Sequence, residues 1–176
     1  MNLANKITVF RIMLVPVYLI LFMQQTIAMS YAAAAVFAIA SLSDALDGYI
    51  ARSQGLVTNF GKFFDPLADK LLVCSALIAM TYLGYFPMWG TIAIVARELA
   101  ITAFREVAAA SNIIIAADNL GKLKAISQMV TIIGLTIPQL PNFLAIILTP
   151  MIWFTVFITL LSGVTYVAKN INVLKE

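Results

Sequence analysis

Six apolar stretches separated by short polar segments constrain this chain more than any other feature. Their cores fall at 12–23, 31–51, 64–83, 89–110, 123–137 and 143–167. A helix needs ~20 apolar residues to cross the hydrocarbon core of a bilayer. The first and fifth stretches are short, so they borrow flanking residues or sit where the bilayer thins. The pattern predicts an all-α polytopic membrane protein, with six transmembrane helices forming one domain over residues 1–176. Composition agrees, at 62% hydrophobic and 11% charged. A soluble domain so composed would leave too much apolar surface facing water.

The segments between the stretches alternate in charge. Residues 24–30, 84–88 and 138–142 carry none. The opposite ends carry Lys6 and Arg11, then Arg52 and Lys62, then Lys122 and Lys124, then Lys169 and Lys175. The positive-inside bias puts both termini in the cytoplasm, as an even number of spans requires. Lys6 and Arg11 before an apolar stretch resemble a signal peptide, but five further spans follow. Residues 2–11 are instead expected as a short amphipathic segment on the cytoplasmic face. Ile7 and Phe10 would rest on lipid there, while Lys6 and Arg11 snorkel toward headgroups. The run 32–35 is all alanine, which allows close helix packing.

The chain has no histidine and one cysteine, Cys74, inside an apolar run. That excludes a disulfide framework and any Cys/His metal site. Acid–base chemistry must come from carboxylates, lysine or tyrosine.

Four of the five aspartates fall between Ser43 and Lys70. Asp44, Asp47 and Ala51 are three and four apart, so they share a face at the end of the second helix. Asp65 and Asp69 are four apart and share a face at the start of the third. Pro66 suits a first helical turn there. A short loop over 53–60 makes the two helices antiparallel neighbours and brings four carboxylates together. Like charges that close repel, and low dielectric worsens the repulsion. Hard divalent cations relieve it, since all-oxygen ligands favour Mg²⁺, Mn²⁺ or Ca²⁺. Paired metals suit displacement at phosphorus. Gly48, Ala51 and Gly61 leave room for close backbone approach by a ligand. Arg52 stands where a guanidinium takes a phosphate. The bland alternative is a solvated acidic cap on two helix ends.

These residues resemble the motif of the CDP-alcohol phosphotransferases. Asp44, Asp47, Gly48, Ala51, Arg52, Gly61, Asp65 and Asp69 fill all eight of its fixed positions at the required spacing. The resemblance implies that Asp44, Asp47 and Asp65 bind two metal ions, Mg²⁺ or Mn²⁺. It implies that Asp69 also touches a metal and acts as general base on the acceptor hydroxyl. Gly48, Ala51, Arg52 and Gly61, with Asn5 and Thr8, would bind the CDP moiety. An alcohol would then attack the lipid-bearing phosphorus of a CDP-activated donor and CMP would leave.

The fourth stretch bears on the acceptor. Arg97 and Arg105 lie eight apart, near one helix face. Arg97 falls roughly half-way across the bilayer at ~1.5 Å per residue, and so should face a polar cavity. Lys122 and Lys124 stand at the start of the fifth helix, where they would close the rim of that cavity. These four cations, with Asn5, Thr8 and Arg11, resemble the phosphatidylglycerophosphate synthase branch of the family. Ala125 departs from it, standing where that branch has threonine. The implied acceptor is sn-glycerol 3-phosphate, bound through Arg97, Arg105, Lys122 and Lys124, and the implied donor is CDP-diacylglycerol. A homodimer in the bacterial cytoplasmic membrane, with a cytoplasmic active site and no nucleic-acid partner, is likewise implied.

Other readings stay open at this point. The acceptor could be inositol phosphate, serine or phosphatidylglycerol. A divalent-cation transporter would need access from both sides, yet the uncharged ends lack acids. A structural subunit gives no reason for aspartates interleaved with glycines. Arg97 and Arg105 could serve only to pair Glu98, Glu106 or the aspartates. Lys122 and Lys124 could serve topology and anionic lipid, and Asn5 and Thr8 could cap a helix.

Overall fold

The structure, a computed structural model, describes residues 3–54, 59–110, 113, 119–139 and 141–171. For 3–5, 44–54, 59–66, 69, 110, 142, 143 and 145 the description extends to the backbone only. The described residues form six α-helices and no strand: α1 (Leu3–Met23), α2 (Ile27–Gln54), α3 (Asn59–Tyr82), α4 (Met88–Ala110), α5 (Asn119–Thr136) and α6 (Asn142–Lys169). Each predicted apolar stretch lies in one helix. At the charged ends the helices other than α4 run further than their apolar cores, where Arg and Lys are good helix formers, while α3 and α5 stop one residue short at the other end.

Two expectations change near the charged ends. The separate amphipathic segment over 2–11 is not found: residues from Leu3 onward are the first turns of α1. Nothing in that stretch breaks a helix, and Arg11 turns inward, 1% exposed, rather than snorkelling to headgroups. Pro66 was expected in a first turn, but α3 begins at Asn59, so the proline stands well inside the helix. Of the expected 53–60 loop, residues 53, 54, 59 and 60 are helical, and 55–58 lie outside the described residues.

The turns at the uncharged end explain the hairpins. Each uses one residue with left-handed backbone: Gln25 (φ 53°), Gly84 (φ 78°) and Gln139 (φ 56°). At the end of α3 the Tyr85 amide donates to the Met80 carbonyl at 2.8 Å and the Gly84 amide to Thr81 at 3.1 Å. That is the Schellman pattern, which satisfies carbonyls the helix leaves over. Gln25 uses its side chain instead: its amide donates to the Phe22 carbonyl, and the Tyr85 hydroxyl donates to its Oε1 at 2.6 Å.

Helix α1 packs on both α2 and α3 around Tyr18, Phe22, Phe37, Leu77 and Met80. The Tyr18 ring lies 5.5 Å from that of Phe37, and its hydroxyl shares a hydrogen bond with Thr136 of α5. Helices α5 and α6 pack closely at Gly134, where a Cβ would come within 2.7 Å of Leu148. Between them run polar contacts, from Thr131 Oγ1 to Thr155 Oγ1 at 2.8 Å and from Gln128 Nε2 to Thr159 Oγ1 at 3.3 Å.

The outside is the apolar face. Met13, Ile20, Trp89, Ile146, Phe157 and Val164 are each more than half exposed, while Thr8, Arg11, Glu98, Lys124 and Gln128 are buried. Two segments, Lys6–Met23 and Ile146–Lys169, are long and apolar enough on their own to cross a membrane. The other four helices carry charges or polar residues that shorten their apolar windows.

Gly84→Ala tests the turn chemistry. A Cβ there meets nothing within 4 Å, so only backbone strain is added. Unfolding in detergent should show a loss of about 1–2 kcal/mol. An unchanged midpoint would show that the α3–α4 turn relaxes freely.

Candidate functional site

The polar interior converges on one carboxylate. Glu98 lies half-way along α4 and is 1% exposed. An ionised carboxylate so buried is costly unless cations and hydrogen-bond donors surround it. Three other helices contribute to its surroundings. Lys124 of α5 places its ammonium on Oε1. One turn further along α5, Gln128 Nε2 approaches the same oxygen at 3.5 Å. Lys70 of α3 lies 3.2 Å from Oε2, an ion pair without hydrogen-bond alignment. The neighbouring Arg97 donates from Nη1 to Oε1 at 3.3 Å. Helix α6 joins through Thr159, which accepts from Gln128.

Arg97 is held from a second side. Its Nη2 donates to Ser162 Oγ of α6 at 2.7 Å. Gly163 gives it passage, since a Cβ there would stand 2.9 Å from Arg97 Cγ. Among the described residues its buried Nε has no hydrogen-bond partner. Two turns on, Arg105 donates from Nε to the Tyr166 hydroxyl at 2.9 Å, its guanidinium carbon 5.1 Å from the ring centroid. Ser162 and Tyr166 are one turn apart on α6, so both arginines of α4 meet one face of a helix running the same way.

Among the described residues, the Glu98 carboxylate is met by three cations in a site that water barely reaches. Lys70 is the most open member, with 24% of its side chain exposed. Cations gathered in this way can take an anion from that side.

The structure gathers some predicted residues and not others. Arg97 and Lys124 meet at Glu98. Lys124 was expected at a rim, but it lies inside, 6% exposed. Arg105 sits nearer the charged end on Tyr166, and Lys122 is exposed. Thr8 is fully buried on α1. Asp44, Asp47, Gly48, Ala51 and Arg52 lie on the backbone of α2, and Gly61, Asp65 and Asp69 on that of α3. Their side chains, and that of Asn5, fall outside the described residues. Chain length bounds the distance, however: 55–58 allow the facing ends of α2 and α3 at most about 19 Å of separation. Lys70 directly follows Asp69, so the Glu98 node lies next to the aspartate motif along α3.

Glu98, Lys70 and Gln128 escaped the sequence reading as site residues. The signal was present for Glu98, as an acid beside a mid-helix arginine in an apolar stretch. Nothing local marks Lys70 or Gln128, whose partner lies on another helix.

The two arginines give a paired test. Ser162→Ala strands a donor of the half-buried Arg97, and unfolding should show a loss of about 1–3 kcal/mol. Tyr166→Phe keeps the ring under the exposed Arg105 and removes only one part-buried hydrogen bond. Its loss should be the smaller, about 0.5–1.5 kcal/mol. The reverse ranking would show that Arg97 is not held as described.

Comparison with known proteins bears on what such a site does. The sequence profile of the CDP-alcohol phosphatidyltransferase family matches residues 1–162. A Bacillus subtilis protein named CDP-diacylglycerol–glycerol-3-phosphate 3-phosphatidyltransferase is 40% identical, over 99% of this chain and 97% of its own length. A probable phosphatidylglycerophosphate synthase of Mycobacterium tuberculosis is 39% identical, over 97% of this chain and 82% of its own. A Rickettsia typhi protein with the same name as the Bacillus one is 35% identical, over 94% of each chain. With a profile match across nearly its whole length, this chain belongs to the CDP-alcohol phosphatidyltransferase family.

Proposed function

We propose that this transferase moves a phosphatidyl group from CDP-diacylglycerol to sn-glycerol 3-phosphate, giving phosphatidylglycerophosphate and CMP. One observation favours a phosphate-bearing acceptor: among the described residues three cations, Lys70, Arg97 and Lys124, gather at the single carboxylate of Glu98. A phosphate monoester supplies two negative charges near neutral pH. Serine, a zwitterion, and phosphatidylglycerol, with one phosphodiester charge, suit clustered cations less well; inositol phosphate is a monoester too, and the relatives' names favour glycerol 3-phosphate over it. The relatives bearing the corresponding names support the same reading.

The roles follow from residue chemistry and the family motif. Arg97 and Lys124, with Arg105 and Lys122 nearer the charged end, bind the acceptor phosphate. Asn5, Thr8, Gly48, Ala51, Arg52 and Gly61 line the CDP site. Asp44, Asp47, Asp65 and Asp69 form an all-oxygen donor set suited to two Mg²⁺ or Mn²⁺ ions. Bound there, the metals supply charge stabilisation at the diphosphate. Asp69 takes the proton of the acceptor hydroxyl as its oxygen attacks the lipid-bearing phosphorus. The bond from that phosphorus to the CMP oxygen breaks, and CMP leaves.

The apolar exterior and polar interior support placement of all six helices in a bilayer, as one domain over 1–176. Charge at one end and its absence at the other support cytoplasmic termini and a cytoplasmic active site in a bacterial inner membrane. The assembly is a homodimer on family resemblance.

The test is CMP release by purified protein across an acceptor panel. Turnover should need glycerol 3-phosphate together with Mg²⁺ or Mn²⁺, and a chelator should abolish it. Serine, inositol phosphate and phosphatidylglycerol should give none; turnover with any of them instead overturns the acceptor. Asp69→Asn should cut turnover about 10²–10⁴-fold while donor binding persists. Normal turnover by that variant would show that another group takes the proton.

A further inference from the structure

The uncharged end of the bundle holds a cavity of about 440 Å³. That is the size of a small-molecule site, which runs to ~300–1,000 Å³. It opens between the α1–α2 turn, the α3–α4 turn and the end of α5, with Leu148 of α6 as one wall. Gly134, the lining residue of α5 nearest in sequence to Lys124, stands roughly 15 Å further along the helix, so the cavity is distinct from the Glu98 node.

Its chemistry differs from that of the node as well. No charged residue lines it. A phosphate or an ammonium group would find no opposite charge there to offset its desolvation. Hydrogen-bonding groups line it instead. Ser30, in the first turns of α2, is 5% exposed, and among the described residues its hydroxyl has no hydrogen-bond partner. Gln139 is exposed and brings an amide, both donor and acceptor, to the opening. Its backbone is left-handed (φ 56°), a conformation that glycine adopts at less cost. Tyr85 donates its proton to Gln25, which leaves its oxygen able to accept. Such a set suits an uncharged ligand that carries hydroxyl and ester groups.

The other walls are apolar, among them Phe22, Leu135 and Ile137. Around the same end Tyr31, Tyr82, Tyr85 and Trp89 are exposed. Tyrosine and tryptophan so placed mark the depth at which headgroups meet acyl chains. At that depth the hydroxyls and esters of a glyceride lie against hydrocarbon, as the polar and apolar walls of the cavity require. A soluble polyol would leave the apolar walls unmatched.

We propose that this cavity is a second lipid site, which takes the uncharged headgroup of a diacylglycerol from the leaflet opposite the reaction, with Ser30 and Gln139 as its hydrogen-bonding residues. The inference rests on the bilayer placement proposed above and on no step of the transfer reaction. Binding read in detergent does not depend on that placement, so the two fail separately.

The probe is dioctanoylglycerol, added to the purified full chain in detergent. Saturating CDP-diacylglycerol, without acceptor, keeps the proposed donor site occupied. The unfolding midpoint should rise by roughly 2–4 °C or more near saturation. Dioctanoyl phosphatidylglycerol, dioctanoyl phosphatidylethanolamine and free glycerol should leave it nearly unchanged. Gln139→Gly removes the amide where left-handed backbone accepts glycine, so the fold is not endangered. It should weaken apparent affinity for the glyceride about fivefold. Ser30→Val should do the same, with CMP release unaltered in both variants. If Ser30→Val does not fold, Gln139→Gly alone decides. No shift with the glyceride, an equal shift with either phospholipid or with glycerol alone, or wild-type affinity in the folded variants would each overturn the proposal. The first of these would mean that the cavity holds water only.

Discussion

A carboxylate cannot remain ionised in an apolar bundle unless opposite charge is brought to it, and Glu98 obliges three helices to supply that charge. Lys70 comes from α3, Arg97 from α4 itself and Lys124 from α5. Such a cluster is weak evidence for stability, since apolar side chains of equal volume often stabilise as well. It does specify an arrangement. Sliding α5 by one turn along α4 would leave Glu98 short of Lys124 and Gln128 at once. The polar node therefore fixes relative helix positions that apolar packing alone leaves loosely defined.

The rest of the interior follows the same logic. Thr131, Thr155, Thr159 and Gln128 pair across α5 and α6, while Tyr18 reaches from α1 to Thr136. Helices in an apolar medium gain little from burying more apolar surface, so close approach and interhelical hydrogen bonds must hold them. Gly134 and Gly163 provide the approach, one against Leu148 and the other against Arg97. The second lets α6 approach α4, because the space it leaves is filled by the arm of Arg97.

The helices themselves were legible in the sequence, since each is an apolar run with turn residues at its uncharged end. Gly84 and the prolines flanking Gln139 mark two of the three hairpins. The charged ends were less legible. Arg11 reads as a surface residue because its charge is visible and the helices that enclose it are not. Pro66 reads as a helix start because local preference puts proline there, yet α3 begins earlier at Asn59. The aspartate motif was readable from spacing, which fixes a helix face but not the distance between two helices. Glu98 as a centre was unreadable for the complementary reason: Lys70 and Lys124 are its neighbours only after three helices have packed.

The link between the Tyr85 hydroxyl and Gln25 joins the α1–α2 turn to the α3–α4 turn across the uncharged end. Two hairpins clasped at their tips behave like the jaws of a peg. Parting the two tips must first break that hydrogen bond, so the α1–α2 and α3–α4 hairpins are coupled at the end away from the charges.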